Sequence, residues 1–230
     1  MLPVLMIITS HTQLGSTGKP TGLWAEELTT PYYALTDAGF DVVLASPLGG
    51  KPPFATGSVK VAPLENEGSI KRFFDDGVAM AKFEATHTTA SVNAADYSAV
   101  FLPGGHGTMW DTAEDAATAA LVGDVFNAGK PVAAVCHGPA GLVKALRTDG
   151  KSILFGKKVN GFTNEEETAA GLMDVVPFHL ETRMKELGGT FENGPMWQPY
   201  AVRDGNLITG QNPQSSALVA SHVVAALQGK

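Results

Sequence analysis

The sequence predicts an α/β fold, a mostly parallel sheet with helices on both faces. Apolar, β-branched runs alternate with helical stretches through 230 residues. Several of these runs are continuous rather than alternating, which marks strands buried on both faces. Gly39, Gly129 and Gly188 fall where helices should stop. Alternation of this kind implies right-handed crossovers and a layered sandwich.

The first strand is expected at Val4–Thr9, inside an apolar N-terminus that breaks at Thr9-Ser10-His11. It lacks a basic flank and so reads as a buried strand, neither signal peptide nor membrane span. Further strands follow at Asp41–Ser46, Ala99–Pro103, Val132–Val135 and Lys158–Gly161. Helices are expected at Trp24–Ala38, Ala113–Ala128, Gly138–Ala145 and Phe178–Leu187. Asp204-Gly205 is a hairpin turn signal between Tyr200–Val202 and Leu207–Thr209. A last helix runs from about Pro213 to Leu227, with Asn212 as its cap. Gly49–Gly68, rich in Pro and Gly, is expected to be irregular. No repeat or linker divides the chain, so residues 1–230 are expected to form a single domain.

Composition narrows the function classes. An apolar fraction of 44% and a charged fraction of 17% describe an ordinary globule. A net charge of −7, from 16 basic and 23 acidic residues, argues against a nucleic-acid partner. The one cysteine cannot form an internal disulfide, and a cytoplasmic location without membrane attachment is the expectation. Neither H-E-x-x-H nor paired C-x-x-C spacing occurs, so no metal site and no cofactor are expected.

Chemistry is expected at the carboxyl ends of the strands. Val135-Cys136-His137-Gly138 has the strand–turn–helix setting of a nucleophile elbow, with Ala134 in place of the first glycine of G-x-S-x-G. A thiol at the start of a helix is expected to favour its thiolate, and the next N–H is free for an oxyanion. In Gly104-Gly105-His106-Gly107, Gly105 is a second candidate oxyanion donor, and the turn itself is the plainer reading. His11 and His106 lie on glycine-bearing loops and are candidates to line a pocket.

Glu27 lies near the inward stripe of the first helix, where a buried carboxyl beside a thiol would have a raised pKa. Glu26, its neighbour, is expected to be solvated. Thr163 and Glu166 have capping-box spacing, which accounts for Glu165 and Glu166 without function. Glu167 remains as a candidate to orient His137, with a surface charge as the alternative. Adjacent side chains on an elbow are expected to diverge, which makes Glu27 rather than His137 the leading proton partner of Cys136.

With Gly105-His106-Gly107-Thr108 and Cys136-His137-Gly138-Pro139-Ala140 in view, the chain resembles the ThiJ/PfpI superfamily over nearly its whole length. Within it the chain is most similar to the branch of glutathione-independent glyoxalases (glyoxalase III), also described as chaperone-like heat-shock proteins and protein deglycases. Supporting segments are Thr21-Gly22 with Glu27 ahead of Pro31, Gly161-Phe162-Thr163 and Leu207-Ile208-Thr209-Gly210-Gln211-Asn212-Pro213.

The resemblance implies a flavodoxin-like three-layer sandwich, related to class I glutamine amidotransferases. It implies Cys136 as nucleophile, Glu27 as the carboxyl bonded to its sulfur, and a homodimer. Spacing from Gly161-Phe162-Thr163 puts the histidine's acidic partner at Glu167, within a run of three glutamates. The expected activity is conversion of methylglyoxal or a related 2-oxoaldehyde to the 2-hydroxy acid through a hemithioacetal on Cys136. Glu27 and His137 would move protons, and Gly105 and His106 would line the substrate pocket. The alternatives are a holdase chaperone or deglycase stress protein and, third, a cysteine amidohydrolase or peptidase.

Overall fold

The computed structural model describes residues 2–60 and 65–230. Nine strands are found among them: β1 (Val4–Ile7), β2 (Val42–Ser46), β3 (His87–Thr88), β4 (Ala99–Leu102), β5 (Val132–Val135), β6 (Lys158–Val159), β7 (Thr190–Phe191), β8 (Ala201–Asp204) and β9 (Leu207–Gly210). The helices are α1 (Ala25–Asp37), α2 (Gly68–Asp75), α3 (Gly77–Glu84), α4 (Ala116–Asn127), α5 (Asn164–Ala169), α6 (Leu180–Glu186) and α7 (Ser216–Leu227).

Seven strands form one sheet in the order β3-β2-β1-β4-β5-β9-β8. All neighbours are parallel except the β8–β9 hairpin, which pairs Asp204 with Leu207 across its turn. Every residue of β1, β4, β5 and β9 is buried, as their continuous apolar runs require. The chain steps from β1 to β2 in one direction and from β4 to β5 in the other. Right-handed crossovers therefore put α1 and α4 on opposite faces. α7 packs beside α1, and α4 lies against β4 and β5. The order reverses between β1 and β4, and such a switch point opens a crevice at the strands' carboxyl ends.

α1 runs through Pro31 as the expected Trp24–Ala38 helix does, although Pro31 cannot donate to the carbonyl of Glu27 four residues earlier. Several elements depart from the sequence reading. Gly138–Ala145 is not an α-helix: a 3-10 turn covers Gly138–Leu142. Two glycines and a proline within five residues disfavour a regular helix there. A Cβ on Gly138 would lie 2.1 Å from the Leu102 carbonyl oxygen, so the turn hugs β4. The strand expected at Lys158–Gly161 shortens to β6, which pairs with β7 outside the main sheet.

α2 and α3 carry no long periodic pattern, and at eight residues each they are too short to be stable alone. Tertiary burial holds them. Phe73 and Phe83 are fully buried and meet edge to face at 5.9 Å, and Phe83 stacks on Phe54 at 4.6 Å. Burying each ring contributes roughly 1.5–3 kcal/mol. Asp76 caps α3 by accepting from the Val78 and Ala79 N–H groups. The expected Gly49–Gly68 loop is irregular up to residue 60, and its residues 61–64 lie outside the described residues. No helix among the described residues is long and apolar enough to cross a membrane.

Candidate active site at the strand ends

Cys136 follows β5 with φ 59, in the left-handed region that a β-carbon disfavours. Holding it there costs about 1–3 kcal/mol. Its N–H donates to the Gly210 carbonyl (2.9 Å), and its carbonyl accepts from Phe162 N–H (2.9 Å), so the elbow is clamped from both sides.

Opposite it, Gly104 N–H donates to Glu27 Oε2 (2.7 Å), and the Gly104 carbonyl accepts from Trp24 N–H (3.2 Å). A Cβ on Gly105 (φ 98) would sit 2.2 Å from the Gly22 carbonyl oxygen, so only glycine lets this loop approach α1. That approach carries Glu27, in the first turn of α1, down to the elbow.

Glu27 is fully buried, and its Oε1 has no partner of ordinary hydrogen-bond geometry among the described residues. Burial pushes its carboxyl up to about 8, against the opposing pull of hydrogen bonds from the Cys136 thiol and the Gly104 N–H. Burial also pushes the Cys136 thiol well above its ordinary range, and the neighbouring Glu27 adds to this. The expectation of a favoured thiolate is therefore corrected. The helix that would supply the dipole is a short 3-10 turn, and the sulfur is out of water beside a carboxyl. At neutral pH both groups hold their protons.

A second correction concerns His137. Its Nδ1 lies 3.4 Å from Cys136 Sγ, so the adjacent side chains converge. The left-handed Cys136, followed by His137 at φ −86 and ψ −6, folds the turn back until both side chains face one cavity. Glu167 completes the line: its Oε2 is 2.7 Å from His137 Nε2, and its Oε1 is 2.8 Å from His106 Nε2. The carboxylate accepts, so both Nε2 atoms carry protons and His137 Nδ1 is left as an acceptor facing the thiol. Burial lowers the His137 pKa and His106 adds to this, which keeps the imidazole neutral. Burial alone would raise Glu167, but the two histidines hold it well below the usual carboxylate range.

The ligating atoms of His106, His137 and Glu167 fall within 4.8 Å of one another, closer company than the sequence spacing suggested. Each histidine Nε2 is already engaged with a Glu167 oxygen.

The cavity over the thiol has a volume of about 290 Å³, and Glu27, Gly105, His106, Cys136 and His137 all line it. Its walls are Trp24, Phe162, Trp197 and Pro213, with the exposed Glu26 at its edge. His11 does not reach it; it stacks on Trp110 at 5.3 Å instead. The capping box of Thr163 with Glu166 forms as its spacing indicated, and the same helix start presents Glu167. Trp24, Phe162 and Trp197 were not assigned to the site by sequence reasoning. No local pattern marks Trp197, which sits in an irregular segment with φ 60.

The pattern of the DJ-1/PfpI family matches residues 21–226. Glyoxalase 3 of Candida albicans is 31% identical over 242 aligned residues, covering 99% of both chains. Rapid Encystment Protein 24 KDa of Francisella tularensis superposes with a TM-score of 0.93 at 36% identity, over 99% of each chain. The crystal structure of glyoxalase III from Candida albicans gives 0.88 at 29% identity, over 98% of this chain and 97% of that one. Likeness that extends from the first strand-end loop to the last helix, in residues and in backbone alike, leaves a single assignment: the chain belongs to the DJ-1/PfpI family.

Proposed function

We propose that this protein is a glutathione-independent glyoxalase, converting a 2-oxoaldehyde such as methylglyoxal and water to the 2-hydroxy acid. The observation that carries the reading is the pair of proton carriers around one thiol. Glu27 holds a proton up to about pH 8 on one side of Cys136. On the other side, His137 Nδ1 stands 3.4 Å away as an acceptor. The relatives' names point the same way.

His137 takes the thiol proton as sulfur adds to the aldehyde carbon. Glu27 gives its proton to the forming alkoxide, with the N–H groups of Gly105 and His137 as the candidate oxyanion donors. The Glu27 carboxylate then takes the hydrogen from that carbon, His137 protonates the neighbouring oxygen, and an enediol results. Glu27 returns its proton to the second carbon and removes the hydroxyl proton from the first, leaving a thioester. Water releases the 2-hydroxy acid and restores the thiol. Oxidation at one carbon balances reduction at the next, so no external oxidant enters.

A chiral lactate assay without glutathione tests this. Wild-type protein is expected to form lactate from methylglyoxal, and Cys136→Ala to lose at least about 10³-fold in kcat. Full activity in Cys136→Ala, or no lactate from the wild type, ends the proposal. The aligned Cys136–His137–Glu167 line also supports a thiol hydrolase. Release of ammonia from glutamine would favour that second reading.

A further inference from the structure

Glu166 is fully buried, adjoins Glu167 in sequence and takes no part in the proton transfers above. Its Oε2 accepts from the Thr163 N–H (3.1 Å) and hydroxyl (3.0 Å), closing the capping box of α5. A capping box explains that oxygen and leaves the other. Oε1 accepts from Trp197 N–H (2.9 Å), Gln211 Nε2 (3.1 Å) and Asn212 Nδ2 (2.8 Å).

All three donors lead to the same segment. Gln211 Oε1 accepts from Gly194 N–H (2.9 Å), and Asn212 Nδ2 donates to the Gln198 carbonyl (2.9 Å). The 194–198 stretch has no sheet or helix to hold it, and Trp197 at its tip is in the left-handed region. A non-glycine residue stays in that conformation only when its surroundings over-determine it. The Trp197 ring meets Phe162 at 5.6 Å, Phe162 lies 4.3 Å from His137, and both rings wall the cavity.

The cavity also exceeds what a three-carbon aldehyde fills. At about 30 Å³ for each water, its space is worth roughly ten waters. Trp24, Phe162 and Trp197 give its wall three aromatic side chains beside the histidines and glutamates.

We propose that Glu166 is a positioning residue that holds Trp197 in place as the wall against which the substituent of the substrate packs, so that the site discriminates in favour of aromatic substituents. The substrate class rests on the glyoxalase reading; the role of the strut does not. One turn of α5 thus sets both sides of the pocket, Glu167 orienting the histidines and Glu166 the aromatic wall.

Glu166→Ala is the direct test, because it removes the one acceptor shared by Trp197 N–H, Gln211 Nε2 and Asn212 Nδ2. Hydrogen exchange of the 193–199 segment should accelerate by about tenfold or more, the mark of a lost restraint. KM for phenylglyoxal should rise about fivefold, the worth of an edge-to-face aromatic contact, with KM for methylglyoxal changed less than about twofold. Trp197→Ala should reproduce the KM split with α5 untouched.

Binding of two unreactive analogues, phenylglyoxylate and pyruvate, should divide in the same way. Should neither aldehyde turn over, the glyoxalase reading fails, and this binding ratio still decides the wall. If Glu166→Ala does not fold, Gln211→Met removes one donor to Oε1 and a loop tether while sparing the capping box. It should show the same split at smaller size. Equal effects on both analogues, or none in Trp197→Ala, overturn the proposal, as does unchanged exchange of the 193–199 segment.

Discussion

Glu27 and Glu167 have the same side chain, are both buried beside the Cys136–His137 pair, and are driven in opposite directions. Glu27 receives one backbone N–H on Oε2 and leaves Oε1 buried without a hydrogen-bond partner among the described residues, so burial wins and its pKa rises to about 8. Glu167 receives two imidazole N–H groups, one on each oxygen, and is held well below the usual carboxylate range. Burial sets the cost of charge, and the donors arranged around the group decide whether that cost is met. The two flanks of one pocket thereby acquire different work. In the proposed mechanism the α1 flank stores a proton, and the α5 flank fixes a tautomer.

The largest test of that division falls on Glu167. Glu167→Gln can accept from only one histidine and offers the other a donor, which frees His137 to place its proton on Nδ1, against the thiol. We expect kcat for 2-oxoaldehyde turnover to fall on the order of 10²-fold or more, by analogy with loss of the orienting acid in other triads. An unchanged kcat would show that the imidazole is oriented by its packing instead.

Glu27→Gln probes the other flank through stability. The folded pKa, about 8, lies above the ordinary 4.5, so between those values the folded protein keeps a proton that the unfolded chain has lost. The stability this group contributes is then fully present below pH 4.5 and is lost as pH rises towards 8. The expected slope from this group is about 1.4 kcal/mol per pH unit. Denaturant titrations across this range should show wild-type stability falling relative to Glu27→Gln, which has no such proton. Parallel profiles would mean that Glu27 titrates normally. The kcat/KM of the wild type should fall on the alkaline side near 8, and Glu27→Gln should lose turnover at every pH.

A smaller effect is expected at His106. Its hydrogen bond to Glu167 is partly exposed, and Glu167 keeps its bond to His137 without it. His106→Asn should lower kcat by about tenfold or less, the scale of one hydrogen bond to a charged group. A loss as large as that of Glu167→Gln would make His106 an equal partner in the relay and erase the asymmetry between its two histidines.

Legibility differed by element for physical reasons. Strands β1, β4 and β5 stood out because burial on both faces demands continuous apolar runs. The hairpin at Asp204-Gly205 and the Thr163–Glu166 capping box were read from chemistry confined to four residues. α2 and α3 escaped because their stability comes from Phe73 and Phe83 meeting distant partners, not from periodicity. The protonated thiol and the convergence of His137 on it escaped because both depend on the backbone turn at Cys136 and on Glu27, 109 residues earlier in the chain.

The sequence by itself determined the α/β order, the position of the elbow and the candidates Cys136, His137, Glu27, Glu167, Gly105 and His106, since these follow from local propensity and residue type. Tertiary structure decided the surroundings of each. It brought Gly104 and Gly105 against α1, gave Glu167 two histidines and Glu27 one N–H, and placed Trp197 over the cavity. Protonation and direction are properties of surroundings, and surroundings arise only when distant segments meet.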